Sequence, residues 1–238
     1  MLGRVEKEWH ARYERWAKTY SAEHLVAGWS EDGLARRLAL VLRLASARLK
    51  PGSDILDLGA GPGTYTRSLK SLGHRCLGLD YSRNTIEVAK ARDPQGFYVQ
   101  GEAYHIPFAG GAFDAIVCVG VLQSLQAVDQ ALCEIYRVLR PGGFLFLDGL
   151  NGLFWLHVFR TWRERLDGAE KRMIYYKPVC LASQIEQKGF ASVGVHWLAK
   201  PEQLQKRLSE QRPSRFALLP MLFGYSFLIV ARKLSTDH

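Results

Sequence analysis

The run Ile55-Leu56-Asp57-Leu58-Gly59-Ala60-Gly61-Pro62-Gly63-Thr64 constrains the fold of this chain more than any other stretch. A short apolar segment, read as a strand, enters a turn with glycines spaced G-x-G-x-G, and a helical pattern follows from Thr64 to Leu72. Glycine permits backbone angles and a close ligand approach that a Cβ forbids, and the start of the next helix offers free N–H groups. A ligand can therefore lie against the turn, although a glycine-rich loop alone is also a common structural turn. The spacing departs from the dinucleotide pattern G-x-G-x-x-G/A, because Thr64 stands where that pattern wants a small residue.

Around this unit, short apolar runs alternate with helical periodicity. Strands are expected at Asp54 to Leu58, Cys76 to Asp80, Phe97 to Gln100, Phe113 to Val119 and Phe144 to Asp148. Helices are expected at Thr64 to Leu72, Asn84 to Ala91 and Val128 to Leu139, the last stopped by Pro141-Gly142-Gly143. A preceding helix carries an apolar stripe at Leu34, Leu38, Val41, Leu42 and Leu49, with Arg36, Arg37, Arg43 and Arg48 between, behind a Ser30 N-cap. The alternation specifies an α/β chain around a parallel sheet covered on both faces. At 238 residues and 47% hydrophobic, the chain suits a single domain over 1–238 with one core. The alternation breaks over 149–177, which carries a basic amphipathic pattern, and resumes with Val179 to Lys188 and Ala191 to Leu198.

Asp80 ends the second strand, 21 residues after Gly59, where a carboxylate can accept both hydroxyl protons of a ribose. With the glycine turn, with Gly101-Glu102-Ala103-Tyr104-His105-Ile106-Pro107-Phe108, with Phe113-Asp114-Ala115-Ile116-Val117 and with Arg137-Val138-Leu139-Arg140-Pro141-Gly142-Gly143, the chain resembles the class I S-adenosylmethionine (SAM)-dependent methyltransferases over about residues 53–148. Tyr13-Glu14-Arg15-Trp16-Ala17-Lys18-Thr19-Tyr20 resembles the N-terminal helix of their quinone-biosynthesis-type branch.

The resemblance implies a doubly wound, Rossmann-like, seven-stranded sheet, mostly parallel with one antiparallel strand near the C-terminus. It implies SAM as cofactor and S-adenosylhomocysteine as product. Gly59, Ala60, Gly61 and Gly63 would face the methionine moiety, with Asp57 near its ammonium. Asp80 would hold the ribose, Tyr81 and Leu79 would flank the purine, and Glu102 with Ala103 would meet the adenine. Cys118 and Val119 would lend main-chain groups, and Tyr20 is a further contact candidate, although an aromatic stripe at Trp9, Tyr13, Trp16 and Tyr20 also reads as packing. No catalytic base can be assigned; His157, Tyr175, Tyr176 and His105 remain as candidates, each read more readily as a packing or surface residue.

The acceptor is expected to be a small or lipid-like molecule under a helical cover, 1–30, and an insertion, 149–177. Within the insertion, Trp155, Phe159 and Trp162 share a helical face expected to line the acceptor pocket beside Phe154, while Arg160, Arg163 and Arg165 point elsewhere. The formal charge is +9, distributed as +4 over residues 1–50, −2 over 51–150 and +7 over 151–238. That charge keeps an RNA methyltransferase in view, but the basic residues are scattered and no RNA-binding module is recognisable, so a nucleic-acid partner is not expected.

An NAD(P)-dependent oxidoreductase and a catalytically silent SAM-binding subunit are the readings from other classes. Cys76, Cys118, Cys133 and Cys180 lack zinc or redox spacing, and no metal is expected. The N-terminus lacks a signal-peptide pattern, and the apolar stretch 216–231 is broken by Pro220, Gly224 and Ser226 and falls short of the ~20 residues of a membrane span. A cytoplasmic location is expected. The oligomeric state is not readable.

Overall fold

The computed structural model describes residues 3–166, 173–199 and 224–234. Three helices precede the sheet: α1 (Arg4–Thr19), α2 (Glu23–Val26) and α3 (Glu31–Ser46). Then follow β1 (Asp54–Leu58), α4 (Thr64–Ser71), β2 (Arg75–Asp80), α5 (Arg83–Arg92), β3 (Phe97–Gln100), β4 (Phe113–Cys118), α6 (Val128–Val138) and β5 (Leu139–Leu150). The chain continues with α7 (Trp155–Leu166), α8 (Pro178–Gln187), β6 (Phe190–Ala199) and β7 (Gly224–Lys233). Among the described residues these strands form one seven-stranded sheet in the order β3-β2-β1-β4-β5-β7-β6. β7 runs antiparallel to β5 and to β6, and the other pairings are parallel. The expected doubly wound sheet with one reversed strand near the C-terminus is what forms.

Strand alternation divides the core. Leu56 and Leu58 of β1 and Ile116 and Cys118 of β4 pack on the face that α6 and α8 cover. Ile55, Ala115 and Val117 pack on the opposite face with Val41 and Leu44 of α3 and Leu69 of α4. Burial on both faces explains why these strands read as nearly continuous apolar runs. Ser30 caps α3 as expected, its hydroxyl accepting from the Gly33 N–H at 3.1 Å.

Two local expectations change. Pro141-Gly142-Gly143 is an irregularity inside β5 rather than a loop: Leu139 already pairs with Phe113, and regular pairing resumes at Phe144↔Ala115. A Cβ on Gly143 would stand 2.9 Å from the Asp114 carbonyl, so the chain can hug β4 there only without a side chain. Arg37, read as a polar flank of α3, is 2% exposed and pairs with Asp148 of β5.

Candidate functional site

Strand order reverses direction between β1 and β4, and the carboxyl ends of parallel strands at such a switch point leave a crevice. A cavity lies there. The segments after β1, β2, β3 and β4 supply its walls at Gly59 to Gly61, Asp80 and Tyr81, Gly101 to Tyr104, and Val119 to Val121. Trp9 and Tyr13 of α1, with Trp29, close it from above.

The three turn glycines all have positive φ, 77° at Gly59, 54° at Gly61 and 82° at Gly63, but for different reasons. A Cβ at Gly59 would meet a methyl of Val121 at 2.2 Å, and one at Gly63 would meet the Tyr98 hydroxyl at 2.6 Å. At Gly61 the nearest atom to such a Cβ is 4.0 Å away, so this residue keeps open space in the cavity rather than accommodating protein. Gly63 caps α4 from behind the turn and is not part of the wall.

Asp80 fixes the turn to the next strand. Its carboxylate accepts from the Gly61 N–H at 2.9 Å and from the Ser82 N–H at 2.9 Å. Burial pushes this carboxyl up to about 6, against the lowering effect of those two N–H donors. Tyr81 stands beside it on the wall, its ring 4.9 Å from His10 and 6.2 Å from Tyr13. The buried hydroxyls of Tyr65 and Tyr81, both on this wall, have no hydrogen-bond partner among the described residues.

Of the expected site residues, Gly59, Ala60, Gly61, Asp80, Tyr81, Glu102, Ala103 and Val119 are brought together. Asp57, Gly63, Cys118 and Tyr20 are not on the wall. Asp57 is buried and committed elsewhere: its carboxylate accepts from the Thr66 N–H at 2.9 Å and the Thr66 hydroxyl at 2.6 Å, satisfying one of the free donors of the first turn of α4. Burial pushes it up to about 7. Cys118 faces the core, and burial raises its thiol well above the ordinary range. Tyr20 caps the end of α1 with an extended backbone and is 38% exposed.

Tyr13, two turns earlier on that helix, reaches the cavity instead; helical spacing identified the stripe but not which ring is presented. Glu6 was not anticipated at all. It secures α1 over the site by accepting from the Tyr104 hydroxyl, from Gln126 N–H at 3.0 Å and from Gly3 N–H at 2.6 Å. A charged residue on a half-polar helix gave no signal of such a role.

A second cavity, of about 440 Å³, adjoins the first. Trp9, Tyr13 and Trp29 line both and form the partition. Arg37, Phe154, His157, Tyr175 and Tyr225 line the far side. The His157 Nδ1 lies 2.8 Å from the Asn151 carbonyl, a contact that requires Nδ1 to carry the proton and leaves Nε2 with its lone pair. Burial lowers the His157 pKa below its ordinary value, with Arg160 acting in the same sense and the Asn151 carbonyl opposing.

Tyr176 donates its hydroxyl to the Leu122 carbonyl at 2.9 Å, and His105 is exposed; neither lines the two cavities. The expected pocket face of α7 is corrected in part: Trp155 reaches the rim, whereas Phe159 and Trp162 point away and are 54% and 56% exposed. Among the described residues no three His, Cys, Asp or Glu side chains gather as a metal site, and no helix is long and apolar enough to cross a membrane.

Residues 56–147 match the family described as methyltransferase domain. A demethylmenaquinone methyltransferase of Beutenbergia cavernae is 37% identical over 136 residues, covering 51% of this chain and 56% of that protein. A malonyl-[acyl-carrier protein] O-methyltransferase of Serratia marcescens is 33% identical over 100 residues, covering 42% and 39%. The chain thus spans about half the length of the curated relatives it matches. Among solved structures, a SAM-dependent methyltransferase of Thermotoga maritima, described as a possible histamine N-methyltransferase, superposes with a TM-score of 0.63. That match has 22% identity and covers 98% of this chain and 100% of the other, a likeness of fold.

Proposed function

We infer that this chain, whose residues 56–147 match the methyltransferase domain, is a SAM-dependent methyltransferase that transfers a methyl group to a small or lipid-like acceptor held in the second cavity. The observation that carries this reading is the pair of adjoining cavities parted by Trp9, Tyr13 and Trp29: one is walled by the glycine turn with Asp80 and Glu102, and the other by further aromatic rings, Phe154, Trp155, Tyr175 and Tyr225, with Arg37 and Arg160 among them. In the reading, residues 1–238 act as one unit, with 1–30 as cover and the segment 149–177 shaping the acceptor side; residues 1–2 and 167–172 of these segments lie outside the described residues. The names of the relatives, a demethylmenaquinone methyltransferase and a malonyl-[acyl-carrier protein] O-methyltransferase, support an acceptor of this class. Four free cysteines support a reducing, cytoplasmic setting.

The first cavity suits SAM. Gly61 leaves room for its methionine portion, Asp80 offers a carboxylate to ribose hydroxyls, and Tyr81, Leu79 and Ala103 offer apolar surface to a purine, with Glu102 at the exposed edge. SAM supplies a methyl group already activated on a sulfonium, so the protein's tasks are alignment and exclusion of water. Trp9, Tyr13 and Trp29 exclude water between the cavities. His157, with Nε2 unprotonated, is the candidate to take a proton from an acceptor hydroxyl.

Asp80 gives the reading a pH signature. Its carboxyl sits at about 6 in the free protein, above its unfolded value of 3.8, so the folded form holds the proton more tightly and this contribution to stability declines as pH rises through that window. Ligand hydroxyls and a nearby positive charge favour the carboxylate. SAM affinity should therefore rise as pH goes from about 5 to about 7 and then level off. In Asp80→Asn the affinity should be roughly tenfold weaker and this rise much reduced. Calorimetric titration across pH checks this; an unchanged affinity and pH profile in folded Asp80→Asn removes Asp80 from the ribose.

For the acceptor, incubating the protein and SAM with a metabolite extract should yield a product heavier by one methylene in mass spectrometry. Phe154→Ala should reduce that product about tenfold while SAM affinity stays within twofold, since Phe154 lines only the second cavity. SAM binding without any methylated product from metabolite or RNA extracts would favour the silent-subunit reading, and a methylated RNA would move the acceptor class.

A further inference from the structure

A helix on a protein surface normally turns its apolar stripe inward. α7 does the reverse. His157 and Thr161, one turn apart, are partly covered, and His157 is held by the Asn151 carbonyl with its ring 4.6 Å from that of Tyr175 and tilted by 33°. Trp155, Val158, Phe159 and Trp162 are 57%, 50%, 54% and 56% exposed, and Leu156 is 45% exposed. Phe159 and Trp162 pack on each other at 6.0 Å in solvent. An apolar surface of this kind on a single helix marks a site of association.

Its chemistry selects the occupant. Arg163 is exposed on the same helix, as is Arg160, which against expectation lines the second cavity, and residues 151–238 carry a net charge of +7. Tryptophan and phenylalanine on one face with arginine beside them is the composition of helices that lie in the headgroup region of a bilayer, where indole rings sit at the boundary and guanidinium groups meet phosphates. A second copy meeting through this face would set the Arg163 of one chain toward that of the other, which charge repulsion disfavours.

We propose that α7 docks the protein on an anionic lipid surface, with Phe159 and Trp162 inserted among the acyl chains and Arg163 at the headgroups. Trp155 belongs both to this face and to the rim of the second cavity, so the docked face borders the cavity mouth. The docking stands whether or not the chain transfers methyl groups, and its test measures neither SAM nor product.

The test is flotation of the full chain with vesicles of phosphatidylcholine alone and of phosphatidylcholine containing about one-third phosphatidylglycerol, at low and high salt. Wild type should float with the anionic vesicles, more weakly at high salt, with a blue shift of tryptophan fluorescence. Phe159→Gln/Trp162→Gln should lower partition at least about tenfold, and Arg163→Gln about threefold to fivefold, both with unchanged circular dichroism. Wild type that stays with neither vesicle, or floats equally with both, overturns the proposal. So does a double variant that floats like wild type, or sedimentation showing that the apolar face closes a dimer of this chain instead.

Discussion

Gly61→Val should cost at least about 100-fold in SAM affinity, roughly 2.7 kcal/mol, while the protein remains folded. The size of this effect follows from where the added atoms go. At Gly59 and Gly63 a Cβ would collide with Val121 or Tyr98, and substitution there tests the fold as much as the ligand. At Gly61 the space is open to 4.0 Å, so the valine branches enter the cavity itself. The backbone φ of 54° adds strain on the order of 1–2 kcal/mol to stability, visible as a modest fall in melting temperature. Gly61→Ala should lie between, with less strain and a smaller loss of affinity. Folded Gly61→Val that binds SAM within threefold of wild type by calorimetry would remove the turn from the cofactor site.

Arg37→Met should destabilise the protein by about 3–5 kcal/mol, the largest stability effect expected of any single side chain here. Arg37 and Asp148 are 2% and 1% exposed and meet at 3.1 Å between Nε and Oδ2. Nη1 of the same guanidinium donates to the Gly33 carbonyl at 3.1 Å, and the group lies 3.9 Å over the Trp29 ring. Removing the arginine leaves a buried carboxylate without its cation. Burial already raises the Asp148 carboxyl above its ordinary value in spite of the pair, so the unpaired acid would take up a proton.

The consequence reaches the site, because Asp148 Oδ1 accepts from the Gly120 N–H at 2.7 Å and both Gly120 and Trp29 line the first cavity. Arg37→Met/Asp148→Asn keeps an acceptor for Gly120 without a buried charge, and should recover more than half of the lost stability in urea unfolding. A single variant within about 1 kcal/mol of wild type would show that the pair is incidental to the fold.

The amino-acid order by itself determined the α/β class, the seven-stranded sheet's core strands and the glycine turn with Asp80 after the next strand. These are local or nearest-neighbour properties: apolar runs bury on both faces, and glycines stand where φ is positive. Only the tertiary structure decided which polar groups the ligand can reach. Asp57 alternates along β1 as a site residue should, yet Thr66, in the helix that follows, donates both its N–H and its hydroxyl to Oδ2 of that carboxylate.

Arg37 and Asp148 are 111 residues apart, and nothing in either segment announces their meeting. The aromatic stripe of α1 was legible, but Tyr13 rather than Tyr20 reaches the cavity, because the helix ends before Tyr20. For α7 the periodicity is legible but the direction only in part: Trp155 reaches the rim of the second cavity, whereas Phe159 and Trp162 face away from it. A helical pattern defines a face by the angle between successive residues, and that angle is the same whether the face is turned toward the protein or away from it.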